Sequence, residues 1–186
     1  VGVVDIRKPV GENIRALAKA LGKPVDEIVV SVLNRPRHEQ LIADIRASGA
    51  GTRLMSDGDV AGGINAARHN ARTDMCIGVG GSPEGIVTAC AIKALGGHIQ
   101  GRMWPRDDAE RQRGIDAGLK MDYVYEADEL VKGNNTIFVA TGVTDGQLVS
   151  GVRRAGDWLY TESVVLRGAS GTLRRISSER LTSKWL

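Results

Sequence analysis

Apolar residues along this chain fall into short clusters, some spaced for helices and others for strands. Ile14, Leu17, Ala18 and Leu21 recur at i, i+3, i+4 and i+7, which predicts a helix over Gly11–Gly22 stopped by its last glycine. Glu27–Leu33 is nearly all apolar and β-branched, the pattern of a strand covered on both faces. The alternation then continues: helix His38–Gly49, strand Thr52–Met55, helix Val60–Asn70, strand Asp74–Val79, helix Pro83–Leu95 and strand His98–Met103. Asp107–Gly118 reads as a charged surface helix and Thr136–Ala140 as another apolar strand. Near the end the pattern changes. Trp158–Leu166 and Thr172–Ile176, joined through Arg167-Gly168-Ala169-Ser170-Gly171, predict an antiparallel hairpin at a sheet edge or oligomer contact.

Alternation of strand and helix from Glu27 to Ala140 predicts an α/β fold, mainly a parallel sheet flanked by helices, with the C-terminal hairpin antiparallel. The 186 residues fit one domain, and no linker or repeat divides them. With 42% hydrophobic and 25% charged residues, a disordered chain is excluded. The 24 glycines and 4% aromatics suit glycine turns at strand ends over an aliphatic core. Net charge is only +3, without a block of like charges, so neither a nucleic-acid nor a membrane partner is expected. No apolar stretch nears the roughly 18 residues of a spanning helix. Two cysteines, Cys76 and Cys90, are read as buried free thiols in a reducing compartment. The opening Val-Gly-Val-Val-Asp has no signal-peptide pattern, and without an initiator Met it suggests a piece of something longer.

Ligands of parallel sheets bind beyond the carboxyl ends of the strands. Four clusters fall at such ends: Asn34–His38, Ser56–Asp59, Gly78–Gly85 and Thr141–Thr144. Arg35 and Arg37 flank Pro36. Solvated arginines are the bland reading, but cations at a helix start oppose the dipole and point to a nearby anion. Asp59 is placed to cap the next helix, which leaves Asp57 unexplained; the pair suits either a cation or sugar hydroxyls. Gly78-x-Gly80-Gly81-x-Pro83-Glu84-Gly85 is a strand–turn–helix junction that offers free N–H groups to an anion. It is neither a dinucleotide fingerprint nor a P-loop. Glu84 is either a dipole-favoured helix-start residue or a ligand for a cation that also meets phosphate. His38, His69 and His98 lie on separate elements and form no metal set, and the three tryptophans suit packing.

Arg-Pro-Arg-His, Asp-Gly-Asp-Val and the glycine junction, in this order and spacing, resemble the bacterial class II fructose-1,6-bisphosphatases. The resemblance extends from Gly11–Gly22 to Thr172–Ile176 and includes Ala140–Thr144 and Thr161–Gly168. It implies a sugar-phosphatase-like layered fold and a cytoplasmic, homo-oligomeric (dimeric or tetrameric) hydrolase of gluconeogenesis. Such an enzyme uses Mn²⁺ or Mg²⁺ to remove the 1-phosphate of fructose 1,6-bisphosphate. It places Arg35, Pro36 and Arg37 at the non-reacting phosphate, Asp57, Gly58 and Asp59 at the sugar, Gly81 at a backbone contact and Glu84 on a metal. It also implies that the other acidic ligands and a water-positioning Thr lie in an N-terminal half outside this chain. No catalytic residue is therefore assigned within residues 1–186, and the N-terminal half is an expected partner. The rival reading is a non-catalytic phosphosugar-binding or regulatory module with the same crevice.

Overall fold

The structure, a computed structural model, describes residues 2–69 and 71–184. Asn70, the end of the third predicted helix, and Trp185 lie outside the described residues. Helix α1 (Val10–Leu21) buries Val10, Ile14 and Ala18. Gly22, at φ 65°, ends it, and Lys23 N–H donates back to Ala18 O at 3.0 Å, a left-handed cap that glycine adopts without steric cost. A 3-10 turn over Val25–Glu27 takes the start of the predicted strand, so β1 covers Val29–Leu33. A second such turn, Pro36–His38, leads into α2 (Glu39–Ala47). Then come β2 (Gly51–Met55), α3 (Asp59–Ala67), β3 (Met75–Cys76) and α4 (Ser82–Ala94).

β1 is the centre of a three-stranded parallel sheet in the order β2-β1-β3. Its register sets Leu33 beside Met55 and Ser31 beside Cys76. Val30 and Val32 point to one face, into a core with Ile14, Ile28, Ile42 and Ile45 from α1, α2 and the approach to β1. Ser31 and Leu33 are buried on the other face, so both sides of β1 are covered, as its apolar run requires.

Two glycines let α3 fit on that second face. A Cβ at Gly62 would lie 2.6 Å from Met55 Cε, and one at Gly63 would lie 2.6 Å from Thr88 Cγ2 on α4. The helix is thereby wedged between the sheet and α4.

The later strands depart from the expected order. β4 (Gln100–Gly101) does not extend the parallel sheet; it pairs antiparallel with β5 (Tyr125–Glu126). Between them α5 (Asp108–Asp116) buries no residue, the surface covering its charges predict, and Asp107 caps it by accepting from Glu110 N–H. A short α6 (Ala127–Leu130) follows β5. β6 (Ile137–Thr141) also leaves the parallel set and pairs antiparallel with β8 (Trp158–Arg167). Its residues explain why: Phe138 is buried while Ile137 and Val139 are exposed, so β6 is covered on one face only. β7 (Arg153–Ala155) and β9 (Thr172–Leu181) complete this four-stranded sheet. The predicted hairpin is present and longer than expected, with β8 and β9 in register from Trp158–Leu181 to Arg167–Thr172.

A second core joins the layers. Ile64 of α3 and Ala91 and Ala94 of α4 pack on Phe138, Leu148, Val149, Val164 and Leu166. The order through the molecule is α1 and α2, parallel sheet, α3 and α4, antiparallel sheet, an α/β architecture with the antiparallel part at the C-terminus. No described helix is long and apolar enough to cross a membrane. Cys76 and Cys90 are free but only half-buried, and burial pushes the Cys76 thiol up from its ordinary value. Trp104 and Trp158 lie largely at the surface rather than in a core.

Ile64 is fully buried where α3 meets the antiparallel sheet. Ile64→Ala is expected to cost about 2–5 kcal/mol through lost burial and the cavity left behind. A lower urea midpoint at unchanged slope is the expected reading.

Candidate functional site

Because β1, β2 and β3 run parallel, the three segments that follow them open on one edge of the sheet. Asn34–His38, Ser56–Asp59 and Gly78–Glu84 therefore meet, as their positions in the sequence suggest. Direct contacts tie them together. Arg35 Nη2 donates to Asp57 Oδ1 at 2.5 Å, linking the ends of β1 and β2. Arg37 Nε donates to Val79 O at 2.8 Å, linking the end of β1 to the glycine segment. The two cations at the start of α2 thus have partners on neighbouring loops, while Arg37 stays exposed and Arg35 half-exposed. Pro36 begins the short turn between them.

The carboxylates take places that differ from the simplest expectation. Asp59 does not cap α3. The cap position is Gly58, at φ 83°, where a side chain would be strained. Asp59 sits in the first turn, and its Oδ1 accepts from Val60 N–H at 2.9 Å. Its Oδ2 lies 2.7 Å from where a Cβ of Gly80 would be. The Glu84 carboxylate, from the first turn of α4, lies against the next glycine, Gly81, in the space its Cβ would need. Gly81, at φ −71°, is the cap residue of α4 and has no conformational need to be glycine. Both glycines are explained by room for an acidic side chain instead. Asp57, by contrast, is 83% exposed and accepts from Arg35. Residues 80–87, including Glu84, Ile86 and Val87, are all exposed.

His38 is the buried residue of the site, at 1% exposure. Its Nδ1 lies 2.8 Å from Leu33 O, and its Nε2 accepts from Val79 N–H at 2.8 Å. The position of His38 beneath the glycine segment does not follow from sequence. His69 is exposed, and His98 lies 3.5 Å from Glu126. Among the described residues, no three His, Cys, Asp or Glu side chains group to hold a metal ion. Asp59 and Glu84 each set carboxylate oxygens against one of two adjacent glycines, and Glu84 is of the hard donor type that Mg²⁺ and Mn²⁺ accept.

The fourth cluster, Thr141–Thr144, belongs to the antiparallel sheet yet still reaches this region. Together with Gly58, Val60 and Ala61 it lines a mostly apolar cavity of about 350 Å³. The loop that closes the cavity runs over residues 142–151 and is held by Glu162, whose role the sequence did not reveal. Ser150 N–H donates to Glu162 Oε2 at 2.6 Å, and Arg175 Nη1 donates to Oε1 at 2.8 Å. Hydrogen bonds from Ser150 and then Arg175 hold the Glu162 carboxyl down at about 2.

Residues 1–180 match the family described as bacterial fructose-1,6-bisphosphatase, glpX-encoded. The chain is 38% identical over 190 residues to the class 2 fructose-1,6-bisphosphatase of Haemophilus influenzae, covering 95% of this chain and 57% of that protein. It is 37% identical over 190 residues to fructose-1,6-bisphosphatase 1 class 2 of Escherichia coli (strain K12), covering 95% and 56%. The chain therefore spans little more than half the length of these relatives, and the match falls on their C-terminal portion.

The low value for Glu162 sets the sign of an acid effect. A carboxylate depressed on folding stabilises fully above its unfolded value, 4.5, and loses that contribution as pH falls towards about 2. Between pH 5 and pH 3 the thermal midpoint should fall more steeply for the native sequence than for Glu162→Gln. Equal slopes would remove Glu162 from the acid response.

Proposed function

This chain belongs to the bacterial fructose-1,6-bisphosphatase family, and from that membership we propose that it supplies the substrate-binding half of such an enzyme. The reaction is hydrolysis of the 1-phosphate of fructose 1,6-bisphosphate, giving fructose 6-phosphate and phosphate. The observation that carries the reading is the meeting of Arg35, Arg37, Asp57, Asp59 and the Gly80–Glu84 segment on one sheet edge. In this reading the longer protein, through the portion of the relatives that this chain does not span, brings the remaining acidic ligands and a water-positioning Thr. The proposal extends to a cytoplasmic homo-oligomer.

Each residue then has a task. Arg37 spends Nε on Val79 O and keeps its terminal nitrogens for the non-reacting phosphate, where a planar, permanently charged fork suits oxygen acceptors. Arg35 adds a second cation, held at its angle by Asp57, and Pro36 fixes the backbone between them. Asp57, Gly58 and Asp59 face the sugar, where carboxylates accept from hydroxyls. Gly81 offers its backbone, and a side chain there would displace the Glu84 carboxylate. Glu84, exposed in the first turn of α4, holds a Mg²⁺ or Mn²⁺ ion together with ligands from the rest of the protein. When bound, such an ion neutralises phosphoryl charge and lowers the pKa of coordinated water. Exposed Ile86 and Val87, at 44% and 45%, supply apolar surface beside Glu84 for the remaining half to cover.

Phosphate release from fructose 1,6-bisphosphate by the full-length protein, with and without chelator, tests the reading; chelator-insensitive release would sink it. Two variants then separate the roles. Glu84→Gln keeps size and removes charge, so turnover should collapse while substrate binding stays measurable. Asp57→Asn should chiefly raise KM, through loss of the Arg35 partner and of a hydroxyl acceptor, with a smaller fall in kcat. If Glu84 only favours the helix end, its replacement would cost a few tenths to about 1 kcal/mol of stability and leave metal dependence unchanged.

A further inference from the structure

β3 pairs with β1 over only two residues, Met75 and Cys76, and Ile77 N–H makes one more bond to Ser31 O at 3.1 Å. Beyond that point the two chains diverge, and the backbone ladder cannot hold the glycine segment. The His38 ring fills the gap. Val79 N–H can only donate, so Nε2 accepts from it, and Nδ1 carries the proton and donates to Leu33 O. One neutral imidazole thus replaces a ladder bond, joining the last carbonyl of β1 to the first amide beyond β3's reach. The ring also lies 3.1 Å from where a Cβ of Gly78 would be, so a side chain there would press on the ring by a few tenths of an ångström. Val79 is also held on its other side, where Arg37 Nε donates to Val79 O in the following peptide unit.

We propose that His38 is a positioning residue of the site: it fixes the Val79 peptide and with it the backbone of Gly80 and Gly81. The inference rests on the functional reading above and adds to it a residue that touches no substrate. Adjacent residues divide the work. Arg37 faces the anion and grips the carbonyl of Val79; His38 faces the interior and grips its amide. Anion binding at Arg37 and the shape of the glycine segment are thereby mechanically joined through one residue, Val79, whose N–H and C=O belong to the successive peptide units on either side of its Cα.

Two replacements of similar size separate positioning from mere stability. In His38→Asn the new amide reaches about as far as Nδ1 and keeps a donor for Leu33 O, but leaves Val79 N–H unpartnered. In His38→Gln the longer amide reaches about as far as Nε2 and keeps an acceptor for Val79 N–H, but gives up Leu33 O. His38→Asn strands the Val79 N–H, whereas His38→Gln leaves Leu33 O with the Arg35 N–H at 3.0 Å, so His38→Asn should lose more thermal stability and KM is compared where both variants are fully folded. In the full-length enzyme, His38→Asn should raise KM about tenfold, while His38→Gln should recover most of that loss. Hydrogen exchange, which needs no substrate, should show faster exchange over residues 78–81 in His38→Asn than in His38→Gln. Equal KM for the two variants, with activity tracking thermal midpoint alone, would overturn the positioning role. Equal exchange over residues 78–81 would overturn it even if the enzyme acted on another substrate. A native protein with no phosphatase activity but with the exchange difference intact would refute the functional reading and leave the clamp standing.

Discussion

Parallel pairing on both edges of β1 is the constraint from which the site follows. With β2 on one side and β3 on the other, three chain segments leave the sheet in the same direction. A strand flanked in this way must be covered above and below, and β1 meets that condition with Val30 and Val32 on one face and Ser31 and Leu33 on the other. Its position is therefore fixed by two helix layers as well as two neighbours. The arginines that follow inherit that fixed origin, and so do the loops they bind. The ion pair of Arg35 and Asp57 and the Arg37–Val79 bond then tie together segments 22 and 42 residues apart in sequence. Both contacts are exposed and would be worth little as isolated stabilising pairs. Their value is geometric, since each is anchored in a loop whose root is already immobile.

Glycine does two different jobs around this edge. At Gly58 it supplies a left-handed backbone that starts α3. At Gly62, Gly63, Gly78, Gly80 and Gly81 the backbone requirement is absent and the missing Cβ is what counts. The first two bring α3 against the sheet and α4. The others make space for a histidine ring and two carboxylates. Around this edge glycine is thus mainly a record of close approach, which concentrates acidic oxygen at one strip of backbone, while elsewhere many glycines serve left-handed turns.

Much of this was legible from spacing alone. The helices from α1 to α4 and the central strands follow the pattern of apolar residues, α5 follows its charges, and the three strand-end clusters meet because parallel strands leave no alternative. The failures have physical causes. Periodicity identified the strands at Gln100 and Ile137 but says nothing about direction, and both run antiparallel to their partners. Ile137–Ala140 are all apolar, so the sequence carried no alternation to mark the one-sided sheet that the exposed Ile137 and Val139 reveal. Asp59 read as a cap because acidic residues before helices commonly are; the preceding glycine took that place by its left-handed turn. The roles of His38 and Glu162 rest on partners distant in sequence. His38 meets Val79 across 41 positions, and Glu162 meets Ser150 and Arg175 across 12 and 13. No local pattern encodes such contacts.

The two hydrophobic cores have a consequence for how the molecule yields. One is built from α1, α2 and β1, the other from α3, α4 and the antiparallel sheet. Contiguous cores of this kind behave as separate cooperative units that open with their own free energies. The arginine loop is rooted in the first unit, whereas Asp59 and Glu84 ride on helices of the second. A molecule bridging them staples one unit to the other, so saturation would raise the opening energy of whichever unit is weaker. Ligand binding and folding cooperativity are, in this architecture, two measurements of a single seam.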